Sequence, residues 1–218
     1  MKKVLIVAPH VDDETLGCGG FLLKTKNKKI IIRDLLIVTE LKRKNKNLNN
    51  NKKYIKRIKK LYNFNNIIEF GLPTCELEKV GFGEITSKIR TLVRKNSYDT
   101  ILTPFLGDSH TDHYYTTKSV LSACKIFRSP SIKKILMYET ISETNLNFYT
   151  SSFKPNYYVD ISNELKKKIK IAKIFKNEIK KHPFPRSEES IKSLALLRGA
   201  ECNKKFAESY QIIFMTDE

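Results

Sequence analysis

Two short segments hold most of the residues able to do chemistry in this 218-residue chain: His10-Val11-Asp12-Asp13-Glu14 and His110-Thr111-Asp112-His113. Imidazole and carboxylate together form a borderline donor set suited to zinc. A neighbouring carboxylate left off the metal can then act as a base. Asp is also a favoured N-cap, and acids suit the first turn of a helix, so Asp12 or Asp13 could serve only as a cap. One acid would be enough for that; three in a row beside a histidine favour a cation. In the second segment, residues three apart on a first helical turn share a face, so His110 and His113 can point into one cavity and either could bind metal. Asp108, just upstream, reads as a loop or capping residue. The chemistry expected from these segments is zinc-dependent hydrolysis.

The elements around them must bring the two segments together. Lys3 to Ala8 is a short apolar run that reads as a strand, followed by a turn and a helix from Thr15-Leu16 to Leu22-Leu23. Ile30 to Val38 repeats the strand pattern, Leu41 to Lys53 is a polar loop of low complexity, and Tyr54 to Tyr62 has a helical face. Strands follow at Ile67 to Phe70, Thr100 to Thr103, Ile135 to Tyr138 and Tyr157 to Asp160. Helices are expected at Ile85 to Val93, near Asp112 to about Phe127, along the stripe Leu165, Ile169, Ala172 and Phe175, and at Ile191 to Ala200. Alternation of short strands with amphipathic helices implies an α/β, Rossmann-like domain of three layers, a mostly parallel sheet covered on both faces. Ligands bind such sheets at the carboxyl ends of their strands, where both segments lie. No linker divides the chain, so residues 1–218 are read as one domain.

Composition narrows the classes further. The net charge of +18 comes mostly from lysines spread along the whole chain, and it reads as a solvated surface; a nucleic-acid partner is not expected. The lysines from Lys166 to Lys168 read as the solvated face of their helix, with a hold on a nucleotide- or lipid-linked phosphate as the alternative. Four scattered cysteines without a CxxC pair suggest reduced thiols and a cytoplasmic protein. No apolar stretch reaches the ~20 residues a transmembrane helix needs, while peripheral contact with a membrane surface stays open. Gly17-Cys18-Gly19-Gly20 does not complete a dinucleotide fingerprint, and the acids before it would repel a pyrophosphate. The glycines read as close-packing positions beneath the site, and Cys18 as a core residue. The segment His182-Pro183-Phe184-Pro185-Arg186 reads as a surface loop, with a substrate lip as the alternative, and Glu139 lies near a strand end, where it could touch substrate, without an assigned role.

The stretch Ala8-Pro9-His10-Val11-Asp12-Asp13-Glu14 resembles the AHPDDE signature, and His110-Thr111-Asp112-His113 the HPDH signature, of the LmbE/PIG-L family of zinc-dependent N-acetylsugar deacetylases. Leu16-Gly17-Cys18-Gly19-Gly20, Arg198-Gly199 and Phe206-Ala207-Glu208 are similar too. The resemblance implies that His10, Asp13 and His113 bind zinc and that Asp12 is the general base for attack by zinc-bound water on the acetyl carbonyl. It also implies that a protonated His110 stabilises the oxyanion and that Asp112 orients His110 and holds its proton. Val11 stands where the signature has proline. The family's TxGE segment is not matched, since Thr39-Glu40 is followed by Leu41-Lys42. The implied substrate is an N-acetylated amino sugar, free or in a nucleotide- or lipid-linked conjugate. An esterase or amidase acting on another acyl group with the same zinc machinery is the alternative, and a noncatalytic sugar- or nucleic-acid-binding protein is a third reading.

Overall fold

Every residue from Val4 to Ala8 is fully buried, with Val4, Ile6 and Ala8 packed on one face of the sheet and Leu5 and Val7 on the other. A strand apolar on both faces belongs in the middle of a covered parallel sheet, and that is where it lies. The computed structural model describes residues 1–28, 31–40, 48–148 and 152–217. In chain order the elements are β1 (Lys3–Ala8), α1 (Asp13–Thr25), β2 (Ile32–Glu40), α2 (Leu48–Tyr62), β3 (Asn66–Pro73), α3 (Leu77–Val80), α4 (Phe82–Asn96), β4 (Thr100–Pro104), α5 (Thr111–Ala123), β5 (Lys134–Tyr138), β6 (Tyr157–Asp160), α6 (Leu165–Ala172), α7 (Glu188–Glu201) and β7 (Ala207–Met215).

The sheet order is β3-β2-β1-β4-β5-β7-β6. Strands β1 to β5 pair in parallel, and β7 runs antiparallel to both β5 and β6. One core joins α1, α2, α6 and α7 to the first face, and a second joins α4 and α5 to the other. This is the α/β, mostly parallel, three-layered arrangement expected from the sequence. Among the described residues, no helix is long and apolar enough to cross a membrane.

Several boundaries differ from the sequence reading. Residues 48–53 open α2 instead of extending the polar loop; residues 41–47 of that loop, and Ile30, lie outside the described residues. Helix α5 stops at Ala123, where Cys124 leaves helical geometry, and Phe127 is 77% exposed. Strand β7 was not expected, because the buried polar pair Glu208 and Ser209 interrupts its apolar run.

Glu208 also explains the shape of α1. That helix is kinked at Cys18, whose φ is −136°. A kink creates an extra helix end on each side, with donors and acceptors that need partners. Glu208 accepts from the N–H groups of Gly20 and Phe21 at 2.6 and 2.8 Å. Lys168 Nζ donates to the Leu16 carbonyl at 2.7 Å and to Glu208 Oε1 at 2.8 Å. Lys168 is therefore buried, a correction to the solvated-face reading. Three residues after Leu165 it falls on the apolar side of α6, where Glu208 neutralises it.

The glycines let α1 approach its neighbours. A Cβ on Gly17 would stand 2.1 Å from Cδ2 of Tyr138, a fully buried side chain whose hydroxyl is tied to the Val7 carbonyl at 2.8 Å. Gly17→Ala is expected to destabilise the fold by about 1–3 kcal/mol through overpacking. Urea unfolding checks this, and an unchanged midpoint would contradict the close-packing account.

Candidate active site

Because β1 and β4 are adjacent and parallel, the segments that follow them emerge side by side at the carboxyl edge of the sheet. The chain turns to opposite sides of the sheet after these strands, β2 lying beyond β1 and β5 beyond β4, so a crevice opens between them. His10 lies in the turn after β1, Asp12 and Asp13 start α1, and His110 caps α5 with Asp112 and His113 in its first turn. The rings of His10, His110 and His113 stand with centroids 4.6 to 5.6 Å apart.

Asp13 is the hub. It is 1% exposed, and its Oδ2 lies 3.3 Å from His10 Nδ1, 3.3 Å from His113 Nε2 and 2.8 Å from the His10 backbone N–H. Each imidazole is fixed through its other nitrogen. His10 Nε2 pairs with Asp112 Oδ2 at 2.9 Å, and His113 Nδ1 with Asp108 Oδ2 at 2.8 Å. Carboxylates on the far nitrogens are the usual means of setting the orientation of metal-binding histidines. Asp108 is thus a buried partner of His113, also bonded by Thr144 Oγ1 at 2.6 Å, and not a loop cap.

Ligand atoms from His10, Asp13 and His113 lie within 4.8 Å of one another, as do those from His10, His110 and Asp112. The first group is the better donor set, because both of its histidines have their second nitrogen engaged and one carboxylate oxygen faces both free nitrogens. Two imidazoles and a carboxylate fit a divalent cation of borderline softness.

Charge follows this geometry. Burial would raise the Asp13 pKa, but His113 and His10 hold it well below the usual carboxylate range. Burial would lower the His10 pKa, but Asp112 and Asp13 push it up to about 9. Asp12 is raised to about 7 by burial and by Asp13, against the pull of Arg186 and His10. Its side chain makes no capping hydrogen bond, so the capping alternative for Asp12 does not hold. Glu14 turns into the core, where burial raises its pKa to about 8.

Two details differ from what the family resemblance implies. The Asp112 carboxylate is 4.0 Å from His110 Nδ1 and is instead engaged by His10 Nε2 and by the Cys75 N–H at 2.9 Å. His110 Nδ1 accepts the Asp112 backbone N–H at 3.1 Å, which leaves Nε2 as the protonated nitrogen of a neutral ring. Burial and the neighbouring imidazoles lower the His110 pKa. The physical reason for both differences is the same: the first turn of α5 offers His110 a backbone donor, and His10 lies closer to the Asp112 carboxylate.

Arg186 lies at the site and not in a free surface loop. Its Nη1 is 3.2 Å from Asp12 Oδ2, a contact between residues 174 positions apart. No local signal in the sequence points to its contact with Asp12. Glu139, by contrast, is spent on Arg198 and Ser209. A cavity of about 440 Å³, lined by residues including Leu106, Asp108, His110, Tyr114 and Tyr115, borders the site. A second, of about 480 Å³, is lined by residues including Thr144, Asn145, His182 and Pro185.

Residues 5–124 match the model of the PIG-L family, described as GlcNAc-PI de-N-acetylase. The diacetylchitobiose deacetylase of Thermococcus kodakarensis is 23% identical over 232 residues, covering 98% of this chain and 84% of the relative. Among solved structures, the N,N'-diacetylchitobiose deacetylase of Pyrococcus horikoshii superposes with a TM-score of 0.77 at 19% identity, covering 97% of this chain and 84% of that one. The 4-carboxy-2-hydroxymuconate hydratase GalB of Pseudomonas putida superposes with a TM-score of 0.73 at 14% identity, covering 100% and 98%. Likeness at these identities establishes the fold and leaves the reaction to the site. The family match spans more than half of the sequence, and on it the chain belongs to the PIG-L family.

Proposed function

We propose that residues 1–218 form one deacetylase domain, a zinc-dependent hydrolase that removes the acetyl group from an N-acetylated amino sugar or its nucleotide- or lipid-linked conjugate. The observation that carries this reading is the convergence of His10, Asp13 and His113 on one point with a second carboxylate, Asp12, beside it and outside the cluster. Family membership and the named activity of the Thermococcus relative support the amide of an acetylated sugar as the target.

His10, Asp13 and His113 would hold the zinc. Bound there, zinc supplies a Lewis acid that acidifies water and polarises the acetyl carbonyl. Asp12 removes the proton from the attacking water and returns it to the departing amine, so the C–N bond breaks to give acetate and a free amino sugar. His110 donates from Nε2 to the oxyanion, which its neutral tautomer can do without an extra proton. Asp112 and Asp108 keep His10 and His113 turned toward Asp13. The cavity of about 440 Å³ beside His110 is of a size to take a sugar. A cytoplasmic setting belongs to this reading, in keeping with the free thiols of Cys18, Cys75, Cys124 and Cys202.

Acetate release from N-acetylglucosamine, N,N'-diacetylchitobiose and nucleotide- and lipid-linked N-acetylhexosamines tests the proposal. Release from at least one of them, falling by about 100-fold or more in Asp12→Asn, is expected. Silence on all of them, with hydrolysis of acetyl esters or non-sugar amides, would shift the assignment to an esterase or amidase. Asp108→Asn is expected to weaken zinc binding by about 10–100-fold in competition with a chelator. Unchanged affinity would remove Asp108 from the account.

A further inference from the structure

Every chemically active group of the site has an anchor, and the anchor of Asp12 is the one that the proposed reaction leaves without a role. His10 is held by Asp112, His113 by Asp108 and Asp13 by the His10 backbone. The Asp12 carboxylate makes no bond to the helix it begins. Among the described residues its hydrogen bond and its ion pair both go to Arg186 Nη1, at 3.2 Å.

Arg186 is itself rigidly placed. Its Nε donates to Ser142 Oγ at 2.7 Å, its Nη2 to Glu143 Oε1 at 2.9 Å and its Nη1 also to Glu178 Oε2 at 3.2 Å. Glu143 in turn accepts from Ser109 Oγ at 2.8 Å, in the loop between β4 and α5. The guanidinium therefore ties the turn after β1 to the loops after β4 and β5. A planar fork with five donors can hold Asp12 and three further acceptors at once, which a lysine ammonium cannot do with fixed geometry. At 15% side-chain exposure it is shielded from the water that would otherwise compete for these bonds.

We infer that Arg186 is a positioning residue for the proposed base, holding the Asp12 carboxylate in one rotamer beside the His10, Asp13 and His113 cluster and keeping it from joining that cluster as a further ligand. A free Asp12 would have two alternatives: rotation toward solvent, or approach to the cation that its neighbour Asp13 would hold. Either takes the base off the attacking water. Displacement of a reacting group by about 1 Å can lower turnover by roughly 100-fold.

The inference rests on the proposed deacetylase reading, and the test separates the two. Acetate release, KM and zinc content are measured for the whole chain as the parent, Arg186→Lys and Arg186→Ala. The expected result is a kcat about 10- to 100-fold lower in Arg186→Ala, with KM within about twofold and zinc content equal to the parent, since no proposed ligand has been touched. Arg186→Lys should keep the charge yet recover only part of kcat, and guanidinium at non-denaturing concentration should restore part of the turnover of Arg186→Ala. Parental kcat in Arg186→Ala would overturn the inference. So would loss of kcat together with zinc and folding in both variants, without guanidinium rescue, because that outcome marks Arg186 as a structural tie. A parent that releases no acetate from any substrate strikes the functional proposal instead.

Discussion

A carboxylate 1% exposed, with an imidazole nitrogen 3.3 Å away on either side, is the constraint on which the rest of this architecture depends. A buried charge stripped of a partner generally costs about 3–5 kcal/mol, so Asp13 can be kept at the end of β1 only if His10 and His113 are both delivered to it. His10 comes from the same turn, but His113 comes from the far end of β4. Parallel pairing of β1 with β4 delivers it, and two further carboxylates, Asp112 and Asp108, stop the imidazoles from turning away. The surplus of buried acid over cationic side chains is the electrostatic reason that a divalent cation suits the cluster.

The floor under the cluster is as specific as the cluster itself. Helix α1 carries Asp13 at its first residue, and its kink at Cys18 would leave backbone groups without partners. Lys168 and Glu208, from α6 and β7, satisfy both sides of the kink. The C-terminal third of the chain therefore supports the N-terminal motif directly. Gly17, Gly19 and Gly20 let Tyr138, Tyr62 and Ile161 close against the helix, which leaves α1 little freedom to shift Asp12 and Asp13 relative to the sheet.

Legibility in the sequence followed locality. β1 and β6 were readable to the residue because their apolar runs are bounded by turns, and the two site segments because their chemistry is contiguous. What escaped is non-local. Asp108 looks like a loop acid until α5 folds His113 back over it, and Lys168 looks solvated until Glu208 arrives from β7. Arg186 reaches Asp12 across 174 positions, with nothing in the flanking residues to announce it. The partner of Asp112 changed for the same reason: His10, 102 positions away in sequence, lies nearer its carboxylate than the ring of His110 two residues back.

Whether two segments 100 residues apart in sequence build one metal centre is read by elemental analysis of the purified, unchelated protein alongside His113→Ala. About one zinc per chain is expected in the parent and almost none in the variant, since His113 would supply one of the three proposed protein ligands. An absence of zinc in the parent that persists after reconstitution would contradict such a centre, as would equal zinc in parent and variant.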